Sequence, residues 1–271
     1  METAFLEAIA RIEQQQQSAE IRIQTLGQFQ VWRNGTLLHN KEWGRDITLQ
    51  LFQFFITARH RHALHKEHII DRIWENADQK SGDQSFKVAL HGINKLLEPD
   101  RKSRAEARFI IRQGLTYQLA NESIWIDIDS LEAFIALGNQ YLNKAPEQAA
   151  IAFQKAIELY QGIYLPNRLY EDWSSEERER IQVLSLGAFL TLAEMLVEAN
   201  PMESIRLAQQ ALLIDSTWED AYRLQMQAYL AKGNRPMAIK TYQQCQKVLD
   251  QEFGIDPLPA TQKVYREVMA L

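Results

Sequence analysis

The sequence predicts a mainly α-helical protein with a small β component, organised as a sheet-bearing module followed by a longer all-α module. Three observations carry this. Glycine and proline number only 11 and 7 in 271 residues, about half their usual share, so loops should be short and helices plentiful. Charge is split along the chain: residues 20–120 hold 16 Lys and Arg against 11 Asp and Glu, whereas residues 126–271 hold 13 against 20. At the same place the apolar pattern changes from alternation and short helical runs to one amphipathic helix after another.

Composition excludes several classes. With 46% hydrophobic and 24% charged residues, the chain can bury a core without covalent staples. Cys245 is the one cysteine, which excludes a disulfide framework and any CxxC motif. The longest uncharged apolar-rich stretch, residues 181–193, is too short to cross a bilayer. Glu2 and Glu7 stand where a signal peptide carries positive charge, so a cytoplasmic protein without membrane attachment is expected.

Residues 1–19 read as an N-terminal extension. Phe5, Ile9 and Ile12 recur at helical spacing before the run Gln14–Gln17, which suits either a short fraying helix or an interaction arm. Alternation over Ile21, Ile23, Phe29 and Val31, with Asn34-Gly35 behind it, predicts a small antiparallel sheet closed by a tight hairpin turn. Leu49, Phe52, Phe55 and Ile56 mark one face of a first helix, and Ile69, Ile70, Ile73 and Trp74 mark a second. A third helix is expected from Ser81, where Ser81-Gly82-Asp83-Gln84 fits a capping box. It should bury Phe86, Leu90, Ile93 and Leu97 and stop at Pro99. A basic loop, Arg101-Lys102-Ser103-Arg104, precedes a second hairpin over Phe109–Leu119. Sheet, three helices and closing hairpin over residues 20–120 make a winged helix-turn-helix.

Residues 121–271 read as helical repeats. Helices are expected over Leu131–Leu142, Pro146–Tyr160 and Ser174–Glu198. Gly187 pairs with Ala221, Leu190 with Leu224, Leu196 with Leu230, Asn200 with Asn234 and Ile205 with Ile239, each at an offset of 34. That is the period of the tetratricopeptide (TPR) repeat, in which stacked helix pairs share a core.

Several motifs go beyond architecture. Residues 64–74, Leu-His-Lys-Glu-His-Ile-Ile-Asp-Arg-Ile-Trp, and residues 85–99, running from Ser85-Phe86-Lys87 to Leu97-Glu98-Pro99, resemble the positioning and recognition helices of the antibiotic-regulatory-protein (SARP-type) transcriptional activators. Trp125-Ile126-Asp127-Ile128-Asp129 is similar to the junction that opens their bacterial transcriptional activation domain. Tyr160-Gln161-Gly162, Leu165-Pro166, Tyr170-Glu171-Asp172-Trp173, Glu176–Arg180 and Phe253-Gly254-Ile255-Asp256-Pro257 are similar to its later segments. The resemblance runs in order over residues 21–270. It implies an OmpR-type winged helix that binds double-stranded promoter DNA as side-by-side copies, and helical repeats that serve self-association or contact with RNA polymerase holoenzyme. The chain departs from the family at Asp83, Gly92 and Asn94, where arginine is usual. It departs again in the wing, where Leu115-Thr116-Tyr117-Gln118-Leu119 replaces Gly-Gly-Tyr-Arg-Leu. No Gly-x-x-x-x-Gly-Lys-Ser/Thr loop occurs, so the short, two-domain form is expected.

The candidate DNA-facing residues follow from helical geometry. With Phe86, Leu90, Ile93 and Leu97 inward, the opposite face presents Gln84, Lys87, His91, Asn94 and Lys95. Lysines suit phosphate or guanine, Gln and Asn suit adenine, and His can donate to an acceptor. Arg104, Arg108 and Arg112 flank the wing, where phosphates would pass. His60, His62, His65 and His68 invite a metal reading, but no cysteine or paired carboxylate is placed to complete three or four ligands, so no metal or other cofactor is expected. Trp173 reads as a packing anchor. No nucleophile elbow, His-Glu-x-x-His or phosphate loop is present, and the expectation is not an enzyme but a transcription regulator, an activator by resemblance. The rival reading, motivated by the missing arginines, is a TPR-type interaction scaffold whose winged helix has lost tight DNA binding.

Overall fold

The computed structural model describes residues 2–60, 63–102, 105–120 and 122–270. It is mainly helical, with 66% helix and 9% strand, the class expected from composition and periodicity. The chain divides into two compact units. One comprises Glu13–Asp127 and Tyr164–Glu179, and the other comprises Met1–Ile12, Ile128–Ile163 and Arg180–Leu271.

The first unit opens with β1 (Ile21–Gln24), β2 (Gln30–Arg33) and β3 (Thr36–Leu37). Ile21, Ile23 and Val31 are the buried members of the alternating pattern. The β2–β3 turn is made by Asn34 and Gly35, both at positive φ (47° and 79°), the conformation that two-residue hairpins require. A later strand, β7 (Ile124–Ile126), pairs parallel to β1 and gives the sheet order β3-β2-β1-β7. It delivers Asp127, 2% exposed, beneath the β1–β2 turn. There the Asp127 carboxylate accepts the N–H groups of Thr25 and Leu26, each at 2.8 Å, and the Thr25 hydroxyl at 2.6 Å. A buried carboxylate is tolerated only with such a set of donors, which explains the acid in the Trp-Ile-Asp junction.

Helices α2 (Asp46–Thr57), α3 (Lys66–Ile73) and α4 (Gln79–Leu97) follow. A three-stranded sheet, β4 (Leu64–His65), β5 (Ile110–Gln113) and β6 (Thr116–Leu119), is ordered β4-β6-β5 and closes the winged helix. Phe86 of α4 packs edge-on against Tyr117 of β6, with ring centroids 4.9 Å apart. His65 caps α3, its Nδ1 accepting from the Glu67 N–H at 3.4 Å. His62 lies outside the described residues.

The expected cap of α4 is corrected. Asp78, not Ser81, is the N-cap, its Oδ1 accepting from the N–H groups of Lys80 and Ser81 at 3.0 Å each. Ser81 lies one turn inside the helix because Gly82 must already be helical there. A Cβ on Gly82 would stand 2.6 Å from Ile70 Cγ2, so the glycine sets the close approach of α3 and α4.

α2 is buried almost all round: Leu51, Phe52, Gln53, Phe54, Phe55 and Ile56 are all at most 4% exposed. A one-sided stripe would bury only part of that run. The second face is covered by residues 164–179, which lie in the later half of the sequence. Trp173 meets Phe54 edge-on at 5.6 Å. The Tyr164 hydroxyl shares a 2.8 Å hydrogen bond with Thr57, and Arg59 donates to Glu177 at 2.8 Å. Burial pushes the Tyr164 phenol far above its ordinary range. Arg178 donates to the carbonyls of Tyr164 and Arg168, fixing the path of residues 164–179, a strap across α2.

The second unit is helical. It comprises α5 (Asp127–Tyr141) from Ile128, α6 (Pro146–Leu159), the later turns of α7 (Asp172–Leu196), α8 (Pro201–Ile214), α9 (Glu219–Ala231), α10 (Arg235–Phe253) and α11 (Pro259–Ala270). The 34-residue register is visible in the caps. Asn200 accepts from the Glu203 N–H and Asn234 from the Met237 N–H, and each cap is followed by a proline in the first turn. Leu190 and Leu224, equivalent in that register, are both 8% exposed. The N-terminal residues form α1 (Glu2–Ser18), whose Phe5 ring packs against Tyr141 at 5.1 Å.

Candidate nucleic-acid interface

α4 is the longest helix of the first unit, and its outward face is the centre of the candidate interface. Gln84, Lys87, His91 and Lys95 are exposed and share one side at helical spacing. Asn94 departs from the expected face. It is 7% exposed, and its Oδ1 has no hydrogen-bond partner among the described residues. Leu90, expected inward, is only half-buried, so the helix is turned slightly about its axis relative to the sequence reading.

Charge on this face is tuned by a pair that sequence reasoning missed. Asp83, standing where the family has arginine, receives Lys66 at 2.8 Å. That hydrogen bond, with Lys87 nearby, holds the Asp83 carboxyl below its ordinary range. An acid there lowers the positive potential of the face, and Lys66 offsets that charge. The available signal was only a lysine at the first position of α3.

The wing residues fall into three cases. Arg112 is exposed, donates from Nε to the Gly114 carbonyl at 2.8 Å and lies over the Tyr117 ring at 5.8 Å. Arg108 is ion-paired with Glu20, which raises the guanidinium's pKa further, and stacks on Phe109 at 5.1 Å. Arg104 lies outside the described residues. Between α4 and the β5–β6 hairpin runs a groove of about 450 Å³, lined among others by Lys66, Lys87, His91, Asn94, Arg112 and Leu115. Trp173 is a packing residue, its indole N–H donating to Glu171 at 3.2 Å.

A family model described as the bacterial transcriptional activator domain matches residues 126–269. Among solved structures, Mycobacterium tuberculosis EmbR in complex with low affinity phosphopeptide is similar, with a TM-score of 0.77 and 16% identity, over 93% of this chain and 65% of that one. At that identity the likeness is one of fold, and this chain spans just under two thirds of the other's length. It carries the winged-helix and helical-repeat architecture that the resemblance to SARP-type activators implied. A crystal structure of MamA protein aligns over 79% of this chain and 99% of its own at 13% identity, but a TM-score of 0.26 carries no argument. No curated protein matches the sequence. No described helix is long and apolar enough to cross a membrane.

Proposed function

Because the chain belongs to the bacterial transcriptional activator domain family, we propose that it regulates transcription by binding double-stranded promoter DNA through α4 and the adjoining wing. The observation that carries the reading is the face of Gln84, Lys87, His91 and Lys95, exposed on one side of α4 with the neighbouring Asp83 neutralised by Lys66. A helix seated in the major groove uses such a face, its lysines meeting phosphate or guanine and its amide meeting adenine. Arg112, beside the wing turn, adds a phosphate contact. Arg108 contributes less, because Glu20 already compensates its charge.

The remaining cations are few, so one copy binds weakly. Useful affinity then comes from two or more copies on adjacent half-sites, joined through the helical repeats. The same repeats are the part that contacts RNA polymerase holoenzyme.

Selection of bound sequences from a random duplex pool tests this. A recovered motif with a repeated half-site, bound more weakly as salt rises, is the expected result. No enrichment even at low salt overturns it and favours an interaction scaffold in its place.

A further inference from the structure

We propose that the wing tip is an apolar wedge: Leu115 enters the minor groove of bound duplex DNA, unstacks a base step and bends the DNA. The proposal rests on the DNA-binding reading above and adds to it a residue which that reading does not use.

Leu115 is 52% exposed at the turn between β5 and β6. Single exposed leucines are ordinary, and what distinguishes this one is how it is held. The Thr116 hydroxyl donates to the Gln113 carbonyl at 2.9 Å, and Arg112 Nε donates to the Gly114 carbonyl at 2.8 Å. The N–H of Lys66, at the start of α3, donates to the carbonyl of Leu115 itself at 2.8 Å. Gly114 takes the left-handed turn position, φ 62°. Three hydrogen bonds therefore fix the backbone on both sides of the side chain and leave the side chain itself out in solvent. The tip is a rigid mount rather than a loose loop.

Its surroundings select the partner. Leu115 borders the groove that Lys87, His91, Arg101 and Arg112 line, where Lys66 is answered by Asp83 and Glu106 is the acid among the described lining residues. A polyanion fits that collar. Leucine itself forms no hydrogen bond to a phosphate or a base edge. On duplex DNA its favourable contacts are the thymine methyl group in the major groove and, in the minor groove, the face of a base, reached where minor-groove proteins insert Leu, Ile, Phe or Met between steps. An exposed leucine surrounded by cations thus fits a duplex that yields at one step, and it reads the deformability of that step rather than its hydrogen-bonding edge.

The test uses the whole chain and a duplex recovered by selection at low salt. End-to-end energy transfer reads the bend, and 2-aminopurine stepped through the site reads unstacking. The wild type should bend the duplex by roughly 20–90° and brighten 2-aminopurine at one position. Leu115→Ala should bind with the same salt dependence but lose most of the bend and the brightening. Leu115→Phe should keep both. An Ala variant that binds and bends like the wild type overturns the wedge and leaves DNA binding standing. So does loss of the bend in both variants, which would show that the turn rather than the apolar side chain matters. A wild type that retains no duplex at low salt overturns both readings together.

Discussion

Arg168 donates to both carboxylate oxygens of Asp46, through Nη1 at 2.8 Å and Nη2 at 2.6 Å, and its Nε donates to Gln53 at 2.8 Å. The arginine belongs to the strap formed by residues 164–179, and the aspartate opens α2. The two ends differ: the Arg168 side chain is 8% exposed and that of Asp46 is 72% exposed. Removing the acid strands a buried guanidinium, whereas removing the arginine releases the acid to water.

Asp46→Ala should therefore be the more damaging change. We predict a loss on the order of 2–3 kcal/mol, below that of a fully buried broken pair because Gln53 remains as a partner. Arg168→Met, which keeps an apolar stem, should cost less. Urea unfolding of both variants checks the order, and equal losses would remove the asymmetry argument. Arg168 holds the Asp46 carboxyl below its ordinary value of 3.8. Its contribution is then fully present above pH 3.8 and fades as pH falls below that. The gap between wild type and Asp46→Asn should close in that acid range.

The strap also predicts what the winged helix needs in order to fold. A fragment of residues 13–127 lacks Tyr164, Trp173 and Glu177, and so exposes Phe54 and takes Glu177 away from the buried Arg59. It should unfold without a sharp transition or aggregate. The same fragment with residues 164–179 joined by a flexible linker should regain cooperative unfolding by circular dichroism. A cooperative, monomeric 13–127 fragment would show that the strap is dispensable.

In the helical repeats, Leu190→Ala and Leu224→Ala should each cost about 2–5 kcal/mol, as for buried leucines elsewhere. Both side chains are 8% exposed and hold equivalent places at an offset of 34. Losses under about 0.5 kcal/mol at both sites would mean that the repeat register does not describe the packing.

These elements were not equally legible in the sequence. Asn200 and Asn234 were readable because the asparagine recurs at an offset of 34, and a cap acts within three residues of itself. The Asn34-Gly35 turn was readable for the same reason. The strap was not, because Tyr164, Leu165 and Trp173 stand among helical-repeat residues and nothing local says which unit they cover. The trace it left was indirect: Leu51–Ile56 is apolar at every position but Gln53, more than one buried face needs. Asn94 was misplaced because a strict i, i+4, i+7 stripe put Leu90 inside. In the fold α4 centres its buried side on Phe86, Ala89, Ile93 and Leu97, and the groove beside the wing takes in Asn94.

Alkaline pH should loosen the last repeats first. Cys245 is fully buried beside Tyr222 and Leu249, and burial pushes its thiol from 9.0 up to about 12. Tyr222 is pushed from 10.0 up to about 12 by burial, with Cys245 and Asp215 adding to it. Both groups hold their protons more tightly in the folded chain. Their stabilisation is complete below pH 9.0 and is lost progressively between there and pH 12. Thermal unfolding should accordingly drop over that range, and Cys245→Ala should flatten the early part of the drop. In the native protein at neutral pH the thiol should react with a disulfide reagent only as fast as the unit opens.

The salt dependence of DNA binding separates the free cations of the interface from the paired ones. Lys87 and Lys95 are exposed on α4, and each that meets a phosphate releases counterion when it binds. Lys87→Ala and Lys95→Ala should each flatten the slope of log affinity against log salt by roughly 0.9. Arg108→Ala should leave the slope nearly unchanged, because its charge is already answered by Glu20. Lys66→Ala tests the tuning of the face. It frees Asp83, turns a neutral pair into a bare carboxylate beside Lys87, and should weaken binding at all salt concentrations measured. Anisotropy titrations of these variants on one duplex compare them directly. A double Lys87→Ala/Lys95→Ala protein with wild-type slope and affinity would take the DNA-binding role away from this face of α4.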